Sequence, residues 1–271
     1  MQKNDKFNIT IIGAGNVATV FASKFIEAGH HIDAIWSRNP EHATILAIQC
    51  RAKILKSLSE LPATSDVVLI AIKDESIQEV VEKISNCNAV LLHTAGSVEM
   101  KVLSAASKRI GVFYPLQSIR KEMPVSENIP LLIDGSSTDV LQQIKNLASA
   151  VSNLVKVSGD EERLKLHLAA VFVSNFTNHL YQLTHEWCEK EKLSFDLLLP
   201  LIREVANRQT GESPSNWQTG PASRGDLQTI DKHLALLEGN PFIQQLYKMM
   251  SEDLLARKKK KDELRSNNTL S

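Results

Sequence analysis

Short apolar runs alternate with amphipathic segments over the first 158 residues of the chain. The apolar runs are continuous, as is typical of parallel strands buried on both faces, and the segments between them carry apolar residues at helical spacing. The predicted strands are 8–12, 32–36, 66–72, 89–93, 110–114, 130–133 and 154–157. This alternation predicts an α/β fold with a doubly wound, mainly parallel sheet.

After Gly159 the pattern contains no further strand signal. Residues 161–190 form one long helical pattern, and shorter helical patterns follow at 195–207, 227–238 and 241–256. We therefore predict a sheet domain over residues 1–158, an all-helical domain over residues 159–257, and a basic, disordered tail over residues 258–271.

Composition and charge argue against several classes of protein. The chain has 31 Lys and Arg residues against 31 Asp and Glu residues, which removes the usual electrostatic argument for a nucleic-acid partner. The basic run 257–265 is interpreted as a solvated terminus. The uncharged stretch 166–185 carries too many hydrogen-bonding side chains for a membrane span. Three widely spaced cysteines without metal-type spacing predict reduced thiols, a cytoplasmic location and no metal site.

A glycine-rich segment follows the first predicted strand and opens the first predicted helix. Its sequence is Gly13-Ala14-Gly15-Asn16-Val17-Ala18. Gly13 allows the tight turn, Gly15 lets the backbone approach a pyrophosphate, and the helix N-terminus supplies amide donors. The pattern predicts a dinucleotide site over residues 13–17; the alternative is a turn that only connects strand to helix.

The end of the second strand indicates which dinucleotide binds. Ser37 and Arg38 follow this strand, where Ser37 can donate a hydrogen bond and Arg38 can pair with a 2′-phosphate. We therefore predict NADP(H) as the cofactor. In the opposing interpretation, Asp33 would bind a ribose 2′-hydroxyl and select NAD(H), although Asp33 lies inside the strand.

Further candidates lie at the ends of the predicted strands 66–72 and 89–93, at the edge where open α/β sheets bind ligands. Small residues there, with Thr94 and Gly96 among them, permit close approach of a nicotinamide ring. His93 is either a proton donor or a buried structural histidine, and Ser97 is interpreted as a helix cap rather than a catalyst. Ala71 and Lys73, at the end of the predicted strand 66–72, are expected near the cofactor. Lys73 is equally well interpreted as an exposed loop lysine.

The long helical pattern carries neutral hydrogen-bonding groups on one side. At 100° per residue, Ser174, Asn178, Tyr181 and His185 share an arc with His167, and Asn175 and Gln182 widen it. We interpret the first part as facing the cofactor cleft and the last part as facing another helix or subunit. The alternative is a core helix with incidental polar contacts.

Three polar residues outside the long helix complete the candidates. Gln117 is expected to orient the substrate, or to satisfy a turn backbone. Arg224, in a Gly/Pro loop between helices, binds a substrate carboxylate or phosphate, or braces the loop through Asp226. Asp226 is expected to cap the next helix.

The motifs taken together resemble a known family. Besides the glycine-rich turn, they are Trp36-Ser-Arg, His93-Thr-Ala-Gly-Ser, Tyr114-Pro-Leu-Gln-Ser, His167-Leu-Ala-Ala-Val-Phe and Thr219-Gly-Pro-Ala-Ser-Arg-Gly-Asp. Their combination resembles the "Rossmann-like plus DUF2520" proteins, which are labelled NADP or F420-dependent oxidoreductases. The resemblance implies a Rossmann domain followed by a helical domain like those of 6-phosphogluconate and β-hydroxyacid dehydrogenases, and a more distant likeness to pyrroline-5-carboxylate and ketopantoate reductases.

The chain departs from the dehydrogenase pattern at the long helix. Those dehydrogenases carry a Lys-x-x-Asn catalytic pair, whereas Lys165 is followed by Leu168 in this chain, so the pair is not carried over. A second departure is Lys73, at a place where many relatives have proline.

These observations predict an NADP(H)-dependent oxidoreductase that acts on a carbonyl or imine of a small anionic metabolite. His167 or His93 would donate the proton, Asn175 and Gln117 would orient the substrate, and the chain would form a homodimer through the helical domain. The alternative is a catalytically silent NADP(H)-binding sensor or scaffold. F420 as electron partner rests on the family label alone.

Overall fold

One sheet organises the first part of the chain. The computed structural model describes residues 6–85, 87–123, 128–209 and 211–269. Its strands are β1 (Asn8–Ile12), β2 (His31–Trp36), β3 (Lys53–Ile54), β4 (Val67–Ile70), β5 (Val90–His93), β6 (Ile110–Pro115), β7 (Leu131–Gly135) and β8 (Val155–Val157). They form an eight-stranded sheet in the order β3-β2-β1-β4-β5-β6-β7-β8.

The strand directions confirm the predicted fold class. All neighbouring strands are parallel except β6 and β7, which pair antiparallel. The sequence pattern missed β3, because two residues are too short to show a period. The carboxyl ends of β1 to β6, which all run in one direction, share one edge of the sheet, where a doubly wound fold binds its ligands; β7 and β8 run the opposite way.

Helices connect the strands and then make up the rest of the chain. Around the sheet they are α1 (Asn16–Glu27), α2 (Pro40–Cys50), α3 (Ile77–Glu82) and α4 (Thr138–Ser149). After the sheet they are α5 (Asp160–Ala170), α6 (Thr177–Lys190), α7 (Leu199–Asn207), α8 (Pro221–Arg224), α9 (Leu227–Leu236) and α10 (Pro241–Thr269). Capping is locally encoded: the Asn39 side chain accepts the N–H groups of Glu41 and His42 at the start of α2.

Apolar side chains cover both faces of the sheet. Successive residues of β1 divide between two clusters, Ile11 packing with α1 and α4 on one face and Ile12 packing with α3 on the other. On the first face the rings of Phe21 and Phe113 meet edge to face, 5.2 Å apart. Full burial of each such side chain contributes roughly 1.5–3 kcal/mol, so this double-sided core fixes the strand ends that carry the site.

The chain divides into two compact units, residues 1–177 and 178–271. The last strand ends at Val157, and α5 belongs to the unit that contains the sheet. The domain boundary near residue 158 stays a prediction, since it marks the change from strands to helices rather than the division of contacts.

The long helix is continuous in sequence but not uniform. Between α5 and α6, Val171–Phe176 form a π-helical segment, where the Thr177 hydroxyl donates to the Phe172 carbonyl at 3.2 Å. A π-helical turn is wider than an α-helical turn. The single polar arc from His167 to His185, which assumes 100° per residue throughout, is therefore wrong beyond residue 170.

The basic C-terminal segment also differs from its prediction. It continues α10 as far as Thr269 instead of being disordered. Two i,i+4 ion pairs support this segment, Arg257 with Asp253 at 2.5 Å and Lys258 with Asp262 at 2.6 Å. The prediction rested on the net charge of the segment and did not consider that Asp253 and Asp262 lie at helical spacing from the basic residues. Over the described ranges, no helix is both long and apolar enough to cross a membrane.

Candidate active site

The glycine-rich turn has the geometry that a dinucleotide requires. Gly13 has a φ of 123°, and a Cβ atom there would lie 2.1 Å from the Ala71 carbonyl oxygen. The Gly13 N–H donates to the Trp36 carbonyl at 2.7 Å, and the Ala71 N–H donates to the Ile12 carbonyl at 2.8 Å. The turn is thus held against the ends of β2 and β4, and only glycine fits at residue 13.

The start of α1 fits a phosphate group. Gly15 is the N-cap residue, and no described side chain caps the helix. A Cβ atom built on Gly15 meets nothing within 4 Å, and Asn16 is exposed beside it. The first N–H groups of α1 therefore face open space at the positive end of the helix dipole, which is what a pyrophosphate needs.

Ser37 and Arg38 lie where the sequence predicts, directly after β2. Arg38 is exposed, and it makes no hydrogen bond or ion pair with any residue the structure describes. The pKa of the Glu79 carboxyl is lowered, chiefly by its hydrogen bond with Lys83 and to a lesser extent by the charge of Arg38. Arg38 is thus available for an anion at this edge of the sheet.

The Asp33 carboxylate is hydrogen-bonded to residues away from the predicted cofactor site. It lies within β2, and its carboxylate accepts hydrogen bonds from Thr64 at 2.7 Å and from Ser65 at 3.3 Å. Thr64 and Ser65 precede β4, so this carboxylate lies toward the amino ends of the strands. This position supports Arg38 rather than Asp33 as the residue that selects the cofactor.

His93 is enclosed at the end of β5. Its side chain is 0% exposed, and its Nδ1 accepts the Ala95 N–H at 3.2 Å. Burial, with the nearby Arg163 charge, lowers the pKa of His93 to about 4. A neutral, enclosed imidazole is a poor donor to a ligand, so the structure favours the structural interpretation of His93.

The turn after β5 is closely packed. The Thr94 N–H donates to the Ile70 carbonyl at 3.2 Å, which joins the ends of β5 and β4. Gly96 is buried, and a Cβ atom there would lie 2.8 Å from Nδ1 of His167 and 2.9 Å from the Tyr114 ring. The Ser97 hydroxyl donates to Asp74 at 2.7 Å. Ser97 is therefore not a helix cap, because the next helical turn is a 3₁₀ segment that starts at Met100.

His167 meets Tyr114 above this turn. The Tyr114 hydroxyl lies 2.9 Å from Nδ1 of His167, and the two rings meet edge to face. Burial is the main cause that raises the pKa of Tyr114, so the hydroxyl stays protonated. His167 is half-buried, unlike His93. The sequence analysis names Tyr114 only as part of a motif. The signal that could have identified it is a phenol at the carboxyl end of a predicted strand.

A fully buried arginine, for which the sequence carries no signal, holds the same region together. The Arg163 guanidinium donates to the Val98 carbonyl at 2.5 Å and to the Asp160 carboxylate at 2.7 Å. Asp160 also accepts the Met100 N–H at 3.1 Å. The loop that follows Gly96 is therefore fastened to the first turn of α5, one helical turn before His167.

Gln117 and Asn175 are both exposed. Between them, the Ser118 and Ser174 hydroxyls lie 2.8 Å apart and connect the loop after β6 to the π-helical segment. This contact brings the two segments together without placing either amide on His167. Lys73 is exposed and 4.0 Å from Glu75, as an exposed loop lysine would be.

Arg224 and Asp226 belong to the second unit. The Asp226 carboxylate accepts the Thr229 N–H at 3.0 Å, which confirms it as the N-cap of α9. Arg224 makes no ion pair with Asp226, so the loop is not braced in that way. Among the residues the structure describes, no cluster of three or more His, Cys, Asp or Glu side chains could hold a metal ion.

Comparison with known proteins matches both parts of the chain. Residues 8–93 match the family described as NADP oxidoreductase coenzyme F420-dependent, and residues 129–254 match the domain of unknown function DUF2520. A Bacteroides fragilis protein assigned as an NADP oxidoreductase has a similar crystal structure, with 38% identity and a TM-score of 0.84; the match covers 94% of this chain and 100% of that chain.

More distant structures share the fold. A Thermotoga maritima protein is 23% identical, with a TM-score of 0.72 over 94% of this chain and 99% of that chain. A reductive aminase from Aspergillus terreus, solved with NADPH and ethyl levulinate, is 16% identical, with a TM-score of 0.69 over 93% of this chain and 95% of that chain. No curated protein sequence matches the chain.

Proposed function

Because the chain belongs to the family that joins an NADP oxidoreductase (coenzyme F420-dependent) domain to a DUF2520 domain, we propose that it transfers hydride between NADP(H) and the carbonyl or imine carbon of a small anionic metabolite. The observation that carries this proposal is the His167–Tyr114 pair, packed on Gly96 at the ligand edge of the sheet. The relatives assigned as an NADP oxidoreductase or solved with NADPH support the choice of cofactor.

Cofactor binding falls to residues of the first unit. The turn from Gly13 to Val17 would hold the pyrophosphate on the N-terminus of α1. Ser37 and Arg38 would hold the 2′-phosphate, since a guanidinium and a hydroxyl suit that group. Thr94 and Gly96, at the end of β5, leave room for the nicotinamide, and Ala71 and Lys73 lie beside the turn after β4.

The bound nicotinamide supplies the hydride, and the protein must supply or remove one proton. A protonated His167 ring would donate its Nδ1–H to the Tyr114 oxygen and its Nε2–H to the carbonyl oxygen or imine nitrogen as the substrate carbon accepts hydride. Loss of the Nε2 proton would leave the neutral imidazole, and solvent would return the proton before the next turnover. Tyr114 would hold the ring in place, and Gln117 and Asn175 would orient the substrate.

One observation favours the silent sensor as the second candidate. Lys165, the lysine nearest the expected catalytic pair, is exposed and bound to Glu161. Lys165 is therefore not available as a catalytic lysine, and any proton donor on this helix has to be His167. A chain in which His167 plays no chemical part would bind NADP(H) without turning it over.

The test follows NADPH oxidation at 340 nm by purified protein with a panel of α-keto acids, semialdehydes and cyclic imines. We expect at least one class to be reduced, and His167→Ala to lower turnover by about 10²–10⁴-fold while NADPH affinity is kept. His185→Ala is the matched control, because His185 pairs with Glu189 in the other unit. NADPH binding without oxidation of any substrate class would favour the sensor, and full turnover by His167→Ala would remove His167 from the mechanism.

The chain is also proposed to form a homodimer through its helical part. Four large apolar side chains of the long helix are about half exposed to solvent: Leu164, Leu168, Phe172 and Phe176. This is more apolar surface than a soluble protein normally leaves open to water on one segment. Sedimentation at micromolar concentration should give a dimer, and Phe172→Glu should give a monomer; a monomeric wild type would contradict the proposal.

The cysteines support a cytoplasmic location. Cys50 and Cys188 are buried, Cys87 is half-buried, and all three are free thiols. Burial raises the pKa of the Cys50 and Cys87 thiols, which keeps them unreactive. Thiols of this kind are usual in a reducing compartment.

A further inference from the structure

A basic groove lies within the second unit, and none of its lining residues is used in the proposed reaction. It has a volume of about 970 Å³, and its walls are the segment Pro214–Arg224 and the C-terminal half of α10. Its charged lining residues are Arg224, Arg257, Lys258, Lys261, Arg265 and Asp262. Cations therefore outnumber anions in the lining by five to one.

The cations of α10 are ordered along the groove. Arg257, Lys261 and Arg265 occur at four-residue spacing, so they form one row about 12 Å long at 1.5 Å per residue. The aliphatic stem of Lys258 passes 3.5 Å from the Cβ position of Gly225, where a φ of 78° ends α8. The turn that carries Arg224 therefore lies beside the helix.

Two of these cations have no hydrogen-bond or ion-pair partner in the described part of the chain, although the charge of each reaches a carboxylate that is hydrogen-bonded elsewhere, Asp226 for Arg224 and Asp262 for Lys261. Arg257 is paired with Asp253, and Lys258 with Asp262. Arg224 and Lys261, in contrast, make no hydrogen bond or ion pair with a described residue. The acid nearest to Arg224 in sequence, Asp226, is held by Thr229 at 3.0 Å and 2.7 Å. Like charges that share a concave surface repel one another, and a bound anion relieves that repulsion.

The neutral lining suits the organic part of such an anion. Asn216, Gln218 and Thr219 contribute amide and hydroxyl groups. The volume is within the range of about 300–1,000 Å³ that is usual for small-molecule sites. Lys259 and Lys260 do not line the groove, whereas a nucleic-acid surface would use the whole basic run.

We propose that this groove binds a small organic anion with at least two phosphate or carboxylate groups, held between Arg224 and Lys261. The site does not depend on the proposed oxidoreductase activity, because its residues lie in the second unit and its binding can be measured without turnover.

The test is isothermal titration of the full chain, saturated with NADPH so that the turn at Gly13–Val17 is occupied. Pyrophosphate is the phosphate probe and citrate the carboxylate probe, both at one fixed ionic strength because exposed charges are screened by salt. We expect at least one probe to bind, and Arg224→Gln and Lys261→Gln each to weaken it about tenfold or more. Lys260→Gln is the matched control on the same helix and should leave binding unchanged.

Three outcomes would overturn the proposal. The first is binding of neither probe, and the second is binding that survives both Arg224→Gln and Lys261→Gln. The third is binding of a 20-nucleotide single strand that Lys260→Gln and Lys261→Gln weaken equally, which would make this helix a nucleic-acid surface. Equal melting temperatures of variants and wild type without probe ensure that a loss of binding is not a loss of folding.

Discussion

A Cβ atom on Gly96 would lie 2.8 Å from Nδ1 of His167. The turn after β5 and the first turns of the long helix are therefore in direct contact, with no space for even one additional carbon atom. The same Cβ would lie 2.9 Å from the ring of Tyr114, so both members of the hydrogen-bonded pair pack directly against Gly96.

Gly96→Ala should therefore displace His167 and Tyr114. Overpacking of this kind typically costs about 1–3 kcal/mol. We expect a lower melting temperature and a fall in turnover with the substrate found by the NADPH assay. Gly159→Ala is the control, since a Cβ atom there meets nothing within 4 Å. Unchanged melting and turnover in Gly96→Ala would show that the pair can move without cost.

Arg38→Ala tests the choice of cofactor. One charge-assisted phosphate contact contributes roughly 1.5–3 kcal/mol, so the variant should bind NADPH about ten- to a hundredfold more weakly and NADH unchanged. Fluorescence titration of both cofactors measures this, with Lys108→Ala, an exposed lysine of the same unit, as control. Equal affinities for NADPH and NADH in the wild type would contradict the assignment.

The burial of His93 predicts a loss of stability in acid. Its pKa of about 4 in the fold lies below the value of 6.5 expected when unfolded, so the unfolded chain binds more protons between these values. The contribution of His93 to the free energy of unfolding is therefore fully present above about pH 6.5. It is lost as the pH falls toward 4, by about 3 kcal/mol in total.

Denaturant unfolding at pH 7, 5.5 and 4.5 measures the effect of His93. In His93→Asn, whose side-chain oxygen can accept the Ala95 N–H, the free energy of unfolding should depend less steeply on pH than in the wild type. Burial also lowers the pKa of His30, but both proteins share that contribution. His42→Asn, at an exposed histidine, is the control for the substitution itself.

The pair formed by Asp160 and Arg163 gives a fourth prediction. Asp160→Ala leaves a guanidinium that is 0% exposed without its carboxylate, and should cost about 3 kcal/mol. Adding Arg163→Met removes the uncompensated charge, so the double variant should be more stable than Asp160→Ala alone. The measurement is denaturant unfolding of the wild type, Asp160→Ala, Arg163→Met and the double variant. Strictly additive changes in the free energy of unfolding would refute the coupling between the two residues.

Features of the fold that depend on residues close together in the chain could be predicted from the sequence. The cap at Asp226 depends on a contact only three residues away, and the structure confirms it. The tight turn at Gly13, which the structure also confirms, depends on the positive φ that glycine adopts readily. The parallel sheet could also be predicted, because strands buried on both faces carry a continuous apolar signal.

Long-range contacts could not be predicted in this way. Tyr114 lies 53 residues from His167 in sequence, and Arg163 lies 65 residues from Val98, so no local pattern relates them. The π-helical segment was missed because periodicity at 100° per residue assumes the geometry that it departs from. The sequence therefore indicated His167 but not the residues that hold it.

The two outermost strands limit how this sheet can associate with others. β3 has two residues and β8 has three, so each edge offers few unpaired backbone groups. Lys53 and Lys156 place a charge on each of these edges. Short, charged edges resist the edge-to-edge pairing that leads to runaway aggregation, so the sheet is protected against growth into a fibril at both ends.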